Sequence, residues 1–511
     1  MKNSARVIVN TLAQYLRTII TALISLYTSR IVLQYLGVSD YGINDLIAGV
    51  IALFSFINST LAQTTQRYLS FYQGKHDFQM CRIVFNNSVL TQFFLALILC
   101  VVLLALTNPI FNHLLNIEKS RLSAAHTIYY FMIVSLFFNL MTTPYFAALI
   151  AHENIVYSSI VQILDSVLKL PVAFSLMWVF FDKLEWYGLC NFVIVLLNFF
   201  LYFFYARKYY IECQSFSIKS FERRIFKEMF SFLGWTLYGT ACVVGRSRGL
   251  AIIVNRFFSA AINGAMGIGS QISNQLSFLS GSLTTALRPQ IIKAEGAGER
   301  KKMIHLTEMC CKFSLLLLLM ISIPFVVEMD NVMNVWLYIV PPYSIFFARA
   351  WVISQVVDQM TVGLTIANAA VGNVKNYNVV TNTVKILALP VIYIFLKFDY
   401  PIETTMYIYI MFEFICSLIR LIYMKHNLNL SILSYMKNVI LPVFIPLLIT
   451  LSVCLTYKKI FSYSLFFVGN FFLSFLIMGF TSYFLSLNKN EREHILMILA
   501  KIKINGKKNR D

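Results

Sequence analysis

The stretch CVVGRSRGLAIIVNRFF, residues 242–258, sets three arginines into an apolar run of helical length. An arginine at the centre of a bilayer helix costs roughly 2.5–3.5 kcal/mol on insertion scales. Either this run is not a membrane helix, or Arg246, Arg248 and Arg256 have surroundings that keep their charge wet or paired. The rest of the chain decides between the two. Of 511 residues, 58% are hydrophobic and 13% charged, where a soluble chain carries about 25% charged. Mean hydropathy is +0.70. Apolar runs of about 20 residues recur from end to end, each long enough to cross about 30 Å of hydrocarbon as a helix. The chain reads as an all-α polytopic membrane protein with no soluble catalytic domain.

Fourteen spans are predicted, at approximately 8–36, 42–70, 83–107, 122–150, 155–180, 186–206, 230–257, 264–291, 306–328, 343–371, 377–397, 403–424, 439–456 and 464–487. Turn and charge signals such as GVSDYG, GKHDFQ, TNP, KAEGAGERKK, VPPY, GNVKN and FDYP separate them. The first span is too long for a cleaved signal peptide and carries Arg17 and Arg30. With the N-terminus in the cytoplasm, the cytoplasmic segments hold 24 Lys and Arg and the outer segments 5. That bias predicts both termini inside and an even number of spans. Much of the net charge of +19 is then topological. No nucleic-acid module fits in loops this short.

The nine cysteines lie mostly within apolar spans, which predicts small buried hydrophobes and neither a disulfide framework nor a zinc site. There is no GxGxxG, Walker A, HExxH or GxSxG sequence, and the seven histidines do not cluster. No enzyme activity, metal or cofactor is expected. The longest outer loop has about 14 residues, small for a site that polymerises sugars outside the membrane.

An internal repeat shapes the predicted architecture. An offset of 222 residues lays Tyr35–Ser70 on Phe257–Ile292, pairing Gly42 with Gly264, Leu61 with Leu283 and the small polar run Asn58–Thr60 with Ser280–Ser282. It also lays spans 1 and 2 on spans 7 and 8. Two six-helix bundles follow, and because six is even they share one orientation, related by a pseudo-two-fold along the membrane normal. Such parallel repeats mark transporters that rock around a central cavity. The expected domains are an N-terminal six-helix lobe at 1–206, a cytoplasmic linker at 207–229, a C-terminal six-helix lobe at 230–424, two extra transmembrane helices at 425–487 and a basic cytoplasmic tail at 488–511.

The segment RIVLQYLGVSDYGINDLIAGVIALFSFINSTL, residues 30–61, resembles the first two helices of Wzx-type polysaccharide flippases, members of the multidrug/oligosaccharidyl-lipid/polysaccharide exporter superfamily. The shared element is a helix, then LG…YG (Leu36, Gly37, Tyr41 and Gly42), then a helix with small and polar residues. Length, the 6 + 6 + 2 plan and the KAEGAGERKK loop extend the resemblance over essentially the whole chain. It implies a carrier that moves an undecaprenyl-diphosphate-linked oligosaccharide from the cytoplasmic to the periplasmic leaflet of the bacterial inner membrane, for O-antigen or capsule assembly. The implied partners are that lipid-linked substrate, the bilayer, a polysaccharide polymerase and chain-length regulator, and a coupling cation, H+ or Na+.

Such a cargo calls for a wet cavity that is cationic at some depth, and arginine suits a diphosphate through its bidentate fork. The candidate binding residues are Arg246, Arg248 and Arg256 in span 7, Arg17 and Arg30 in span 1, Asp45 in span 2, Lys385 in span 11, and Arg349 and Asp358 in span 10. Arg246 and Arg248 stand about 200° apart on a helix, so one of them is free to pair with a carboxylate inside a lobe. Asp165 and Lys169 are spaced i,i+4 and read as a self-neutralised pair. Arg349 and Asp358, nine apart, need separate partners, whereas Glu413 and Arg420, seven apart, share a face and read as structural. Arg67, Arg288 and Lys312 lie near cytoplasmic span ends, where snorkelling is expected.

Two other readings stand beside the flippase. One is a cation-coupled multidrug exporter of the same superfamily, for which a cavity biased to carboxylates is expected. The other is a membrane-embedded polymerase, which the short outer loops disfavour.

Overall fold

The computed structural model describes residues 2–37, 40–44, 47–48, 55–111, 119–214, 221–258, 260–337, 340–461, 467–488 and 491–493. Among them there is no strand, and fourteen helices have at least 15 residues. In chain order these are α1 (Lys2–Leu36), α2 (Ser55–Gly74), α3 (Phe78–Ala105), α4 (Leu122–Ala151), α5 (Ile155–Ser175), α6 (Lys183–Tyr209), α7 (Arg223–Phe257), α8 (Ala260–Gly296), α9 (Arg300–Val327), α10 (Ser344–Gln359), α11 (Val374–Lys397), α12 (Glu403–Leu428), α13 (Leu441–Ile460) and α14 (Phe467–Thr481). Among the described residues, eleven stretches are long and apolar enough to cross a membrane. The chain is a multi-pass membrane protein. Helices α2 and α8, which the 222-residue offset pairs, are the polar ones: TLAQTTQR in one and SQISNQLS in the other dilute their hydropathy.

The helix ends follow local chemistry. Gly37 ends α1 with φ +85, a value glycine adopts without a Cβ penalty. Asp77, Asn154 and Asp182 cap α3, α5 and α6 by accepting from backbone N–H groups of the first turn. The predicted span 343–371 is not continuous. It divides into α10 and a second helix, Val362–Val371, with Thr361 at the break.

By contacts the chain forms two compact units. One comprises Val9–Leu237 and Lys293–Gly298, the other Met1–Ile8, Tyr238–Ile292 and Glu299–Asp511. In the first, an apolar core runs through α1, α3, α4 and α6, with Val32, Leu103, Ile128, Leu140 and Leu184 almost fully buried. Arg121 closes one edge, with Nη2 2.5 Å from Asp40 Oδ2 and Nη1 2.6 Å from Asp182 Oδ2. Burial alone would raise the Asp182 carboxyl, but the Arg121 guanidinium and the backbone N–H of Glu185 hold it below its ordinary value. Elsewhere in this unit, α2 meets residues 293–296 backbone to backbone. A Cβ on Gly74 would lie 2.1 Å from the Lys293 carbonyl oxygen, and one on Gly296 2.0 Å from that of Phe71. Lys293 Nζ also reaches Glu153 Oε1 at 2.9 Å.

In the second unit, Leu250, Val254, Phe347, Ala388 and Met406 join α7, α10, α11 and α12 in one core. A second cluster packs α13 and α14 onto α9 through Leu315, Val443, Cys454 and Met478. A clasp ties α10 and α13 to the short helix Met329–Trp336: Asp330 Oδ2 lies 2.8 Å from Arg349 Nη2 and 3.0 Å from Lys458 Nζ. Burial pushes the Asp330 carboxyl up, and the two bases outweigh it and hold it below the ordinary value.

Candidate functional site: a buried charge cluster

Helices α7 and α11 approach closely along a face of small residues. A Cβ on Gly239 would lie 2.8 Å from Asn382 Nδ2, and one on Gly249 2.5 Å from Leu389 Cδ1. That approach belongs to the segment that carries Arg246. Its guanidinium is 4% exposed, donates from Nη2 to Glu413 Oε2 at 2.6 Å, and stands 3.9 Å from the ring centroid of Tyr409. Among the described residues, its Nε and Nη1 find no hydrogen-bond acceptor.

Glu413, on α12 and 1% exposed, also faces α11, where Lys385 Nζ lies 2.5 Å from its Oε1. Lys385 reaches Asp358 Oδ1 at 3.0 Å, and Arg420 Nη1 reaches the same oxygen at 2.9 Å. Arg420 also donates to Thr361 Oγ1 at 3.1 Å, using the break after α10. Five charges from α7, α10, α11 and α12 thus form one chain, Arg246–Glu413–Lys385–Asp358–Arg420. Three bases meet two carboxylates, so the cluster carries one net positive charge. Asp358 is its most open member, with 27% of its side chain exposed. In a low-dielectric interior such a set persists only because each charge has an opposite partner; removing one partner of a buried pair costs about 3–5 kcal/mol.

The sequence singled out three of these five as binding candidates, Arg246, Lys385 and Asp358. It read Glu413 and Arg420 as structural, and the shared face expected of their seven-residue spacing is what brings both to the cluster. The 200° separation of Arg246 and Arg248 is also realised: the first is buried and paired, the second exposed. Arg256 is exposed, with its guanidinium 5.9 Å from the Tyr393 centroid. Arg30 is exposed, and Arg17 donates to Gln162 Oε1 at 2.8 Å. Arg349 and Asp358 have separate partners, Arg349 in the Asp330 clasp. Asp45 lies outside the described residues. Asp165 and Lys169 pair at 2.7 Å, and Asn198 donates to the same carboxylate. Two snorkelling expectations are corrected. Arg67 is buried under the rings of Tyr68, Phe71 and Phe232, and Lys312 is buried against Glu491 at 2.7 Å. In both cases a partner within the protein satisfies the charge, so the side chain has no need to reach the interface.

No family model matches the sequence, and no curated protein matches it. Solved structures do match. A MATE transporter, ClbM, solved in complex with Rb+, aligns with TM-score 0.70 and 13% identity over 83% of this chain and 95% of its own. An outward-facing multidrug resistance MATE family transporter of the MOP superfamily aligns with TM-score 0.70 and 10% identity, at the same coverage of 83% and 95%. The fold is that of MATE transporters. A MOP superfamily transporter from Pyrococcus furiosus, described as having a binding pocket of reverse polarity that suggests a different function, matches with TM-score 0.70, 10% identity and coverage of 83% and 95%. The expected all-α architecture of two bundles is therefore the observed one.

Proposed function

We propose that this chain is a cation-coupled exporter of the MOP superfamily that carries an amphiphilic cargo out of the cytoplasm across the inner membrane. The observation that carries this reading is the shared fold, which extends over more than four-fifths of the chain to transporters described as multidrug resistance and Rb+-bound MATE proteins. The candidate coupling element is the buried cluster, and its exchange point is Asp358. That carboxylate is shared by Lys385 and Arg420 and is partly open, so a proton or Na+ arriving there weakens two ion pairs at once. Loosening them frees α10 from α11 and α12, which stay joined through Lys385 and Glu413, a local change that a transport cycle can use.

A second reading is favoured by a specific observation. Arg30, Arg248 and Arg256 are exposed on apolar helices and pair with no carboxylate among the described residues. Each is costly against lipid and useful against an anion. This cationic complement suits an undecaprenyl-diphosphate-linked oligosaccharide, the flippase cargo that the sequence resemblance implies, with Arg246, Lys385 and Arg349 held in ion pairs in the conformation described.

Everted membrane vesicles test both. The exporter reading expects cationic dye to accumulate when a proton or Na+ gradient is imposed and to leak back when it collapses. The flippase reading expects no dye transport, and restored surface polysaccharide when the gene is supplied to a flippase-null strain. Failure of both assays with normally inserted protein rejects the transporter assignment.

A further inference from the structure

Helix α6 presents a second feature, away from the charge cluster. Along its length, with Tyr157 of α5 as the opposite wall, runs an open groove of about 690 Å³. Val193, Leu197, Phe200 and Phe204 line its apolar part, and Lys208 stands at its end. From Val193 to Lys208 is 15 residues of helix, about 22 Å at 1.5 Å per residue. One leaflet of a bilayer, headgroup layer included, is half of about 40–45 Å, or about 20–22 Å. The groove is therefore one leaflet long, apolar where the acyl chain lies and basic where the headgroup lies.

The polar end is built for an anion. Lys208 is exposed, pairs with no carboxylate among the described residues, and lies 5.6 Å from the ring centroid of Tyr209. The Tyr205 hydroxyl accepts from Asn154 Nδ2 at 2.7 Å, which leaves its own proton to donate. Tyr209 is 57% exposed beside them. The wall is fixed: Tyr157 stacks on Tyr205 with centroids 3.6 Å apart, and its hydroxyl donates to the Leu201 carbonyl at 3.1 Å. An apolar bed alone fits any lipid. A compact ammonium with phenolic donors at headgroup depth selects a phosphate that carries net negative charge.

We infer that the α6 groove is a binding site for one anionic glycerophospholipid, its acyl chain along Val193–Phe204 and its phosphate at Lys208, Tyr205 and Tyr209. The site lies wholly within the unit Val9–Leu237 and does not depend on which cargo the protein carries. A bound lipid there would brace α5 against α6.

The test uses the purified full chain and native mass spectrometry after exchange into mixed micelles of phosphatidylglycerol and phosphatidylcholine with identical acyl chains. The expected result is preferential retention of one phosphatidylglycerol. Lys208→Gln lowers that preference about fivefold, the share of one base beside an acidic headgroup, while leaving phosphatidylcholine retention unchanged. Leu197→Trp, which fills the apolar bed, lowers retention of both lipids, and thermal melting of each variant verifies folding. Glycerol phosphate without acyl chains should not compete. Equal retention of the two lipids by the unaltered protein, or an unchanged preference in Lys208→Gln, overturns the assignment. So does competition by glycerol phosphate, or a dimer in which a second copy covers the groove.

Discussion

Glu413→Gln is the change whose consequence the charge cluster fixes most narrowly. Among the described residues, Glu413 is the sole carboxylate bonded to Arg246 and one of two bonded to Lys385. Its neutralisation leaves Arg246, 4% exposed and already lacking acceptors at Nε and Nη1, with only the Tyr409 ring for its charge. A cation over a desolvated ring gains about 2 kcal/mol, but that contact exists before and after the change. The expected cost is thus that of an uncompensated buried base, about 3–5 kcal/mol. Arg246→Met should cost less, because the Glu413 carboxylate it leaves behind still has Lys385 at 2.5 Å. The double variant should be milder than the sum of the two, with a coupling of about 0.5–3 kcal/mol. Equilibrium unfolding of the reconstituted protein, with membrane insertion measured beside it, gives all three values. If Arg246→Met costs as much as Glu413→Gln, or if Glu413→Gln costs under about 1 kcal/mol, the cluster is not the continuous chain of charges described above.

Three further outcomes follow from local geometry. Gly74→Ala sets a Cβ 2.1 Å from the Lys293 carbonyl, which is backbone and not a flexible side-chain end; the helices must separate, and melting should fall by the cost of overpacking, about 1–3 kcal/mol, whereas Gly264→Ala, with open space, should be tolerated. The Asp330 carboxyl is depressed in the folded protein, so its clasp contributes fully above the unfolded carboxylate pKa of about 3.9 and is lost as pH falls through that value and the lower folded one; an Asp330→Asn variant should lose the part of the acid sensitivity of melting that this group supplies. Asp165→Asn with Lys169→Met should show a coupling of only about 0.3–0.5 kcal/mol in a double-mutant cycle, because the pair is i,i+4, with Asp165 24% and Lys169 43% exposed.

Much of this was legible in the sequence, for physical reasons that differ by element. Apolar runs of bilayer length are a strong signal, so every predicted span has a helix among the described residues at its position. Helices α2 and α8 were recognisable even though their Ser, Thr and Gln content keeps them from passing as apolar spans, because a turn signal and a repeat flank them. The break at Thr361 was not legible: 343–371 has no proline or turn pair there, and the residues that mark it, Arg420, Ser417 and Tyr435, arrive from more than 50 positions away. The charge cluster was half legible. Helical spacing gave Glu413 and Arg420 one face and parted Arg246 from Arg248, but spacing within one helix says nothing of which helix lies opposite. Burial of Arg67 escaped for the same reason. Its covering ring, Phe232, comes from α7.

Gradient-driven dye uptake in everted vesicles, compared between the unaltered protein and Asp358→Asn, tests the central claim most directly. The account predicts that a proton or Na+ gradient drives accumulation in the first and that Asp358→Asn abolishes it in vesicles matched for folded, inserted protein, since the carboxylate between Lys385 and Arg420 is gone. Uptake by Asp358→Asn at the unaltered rate would contradict the account, as would accumulation that ignores the gradient.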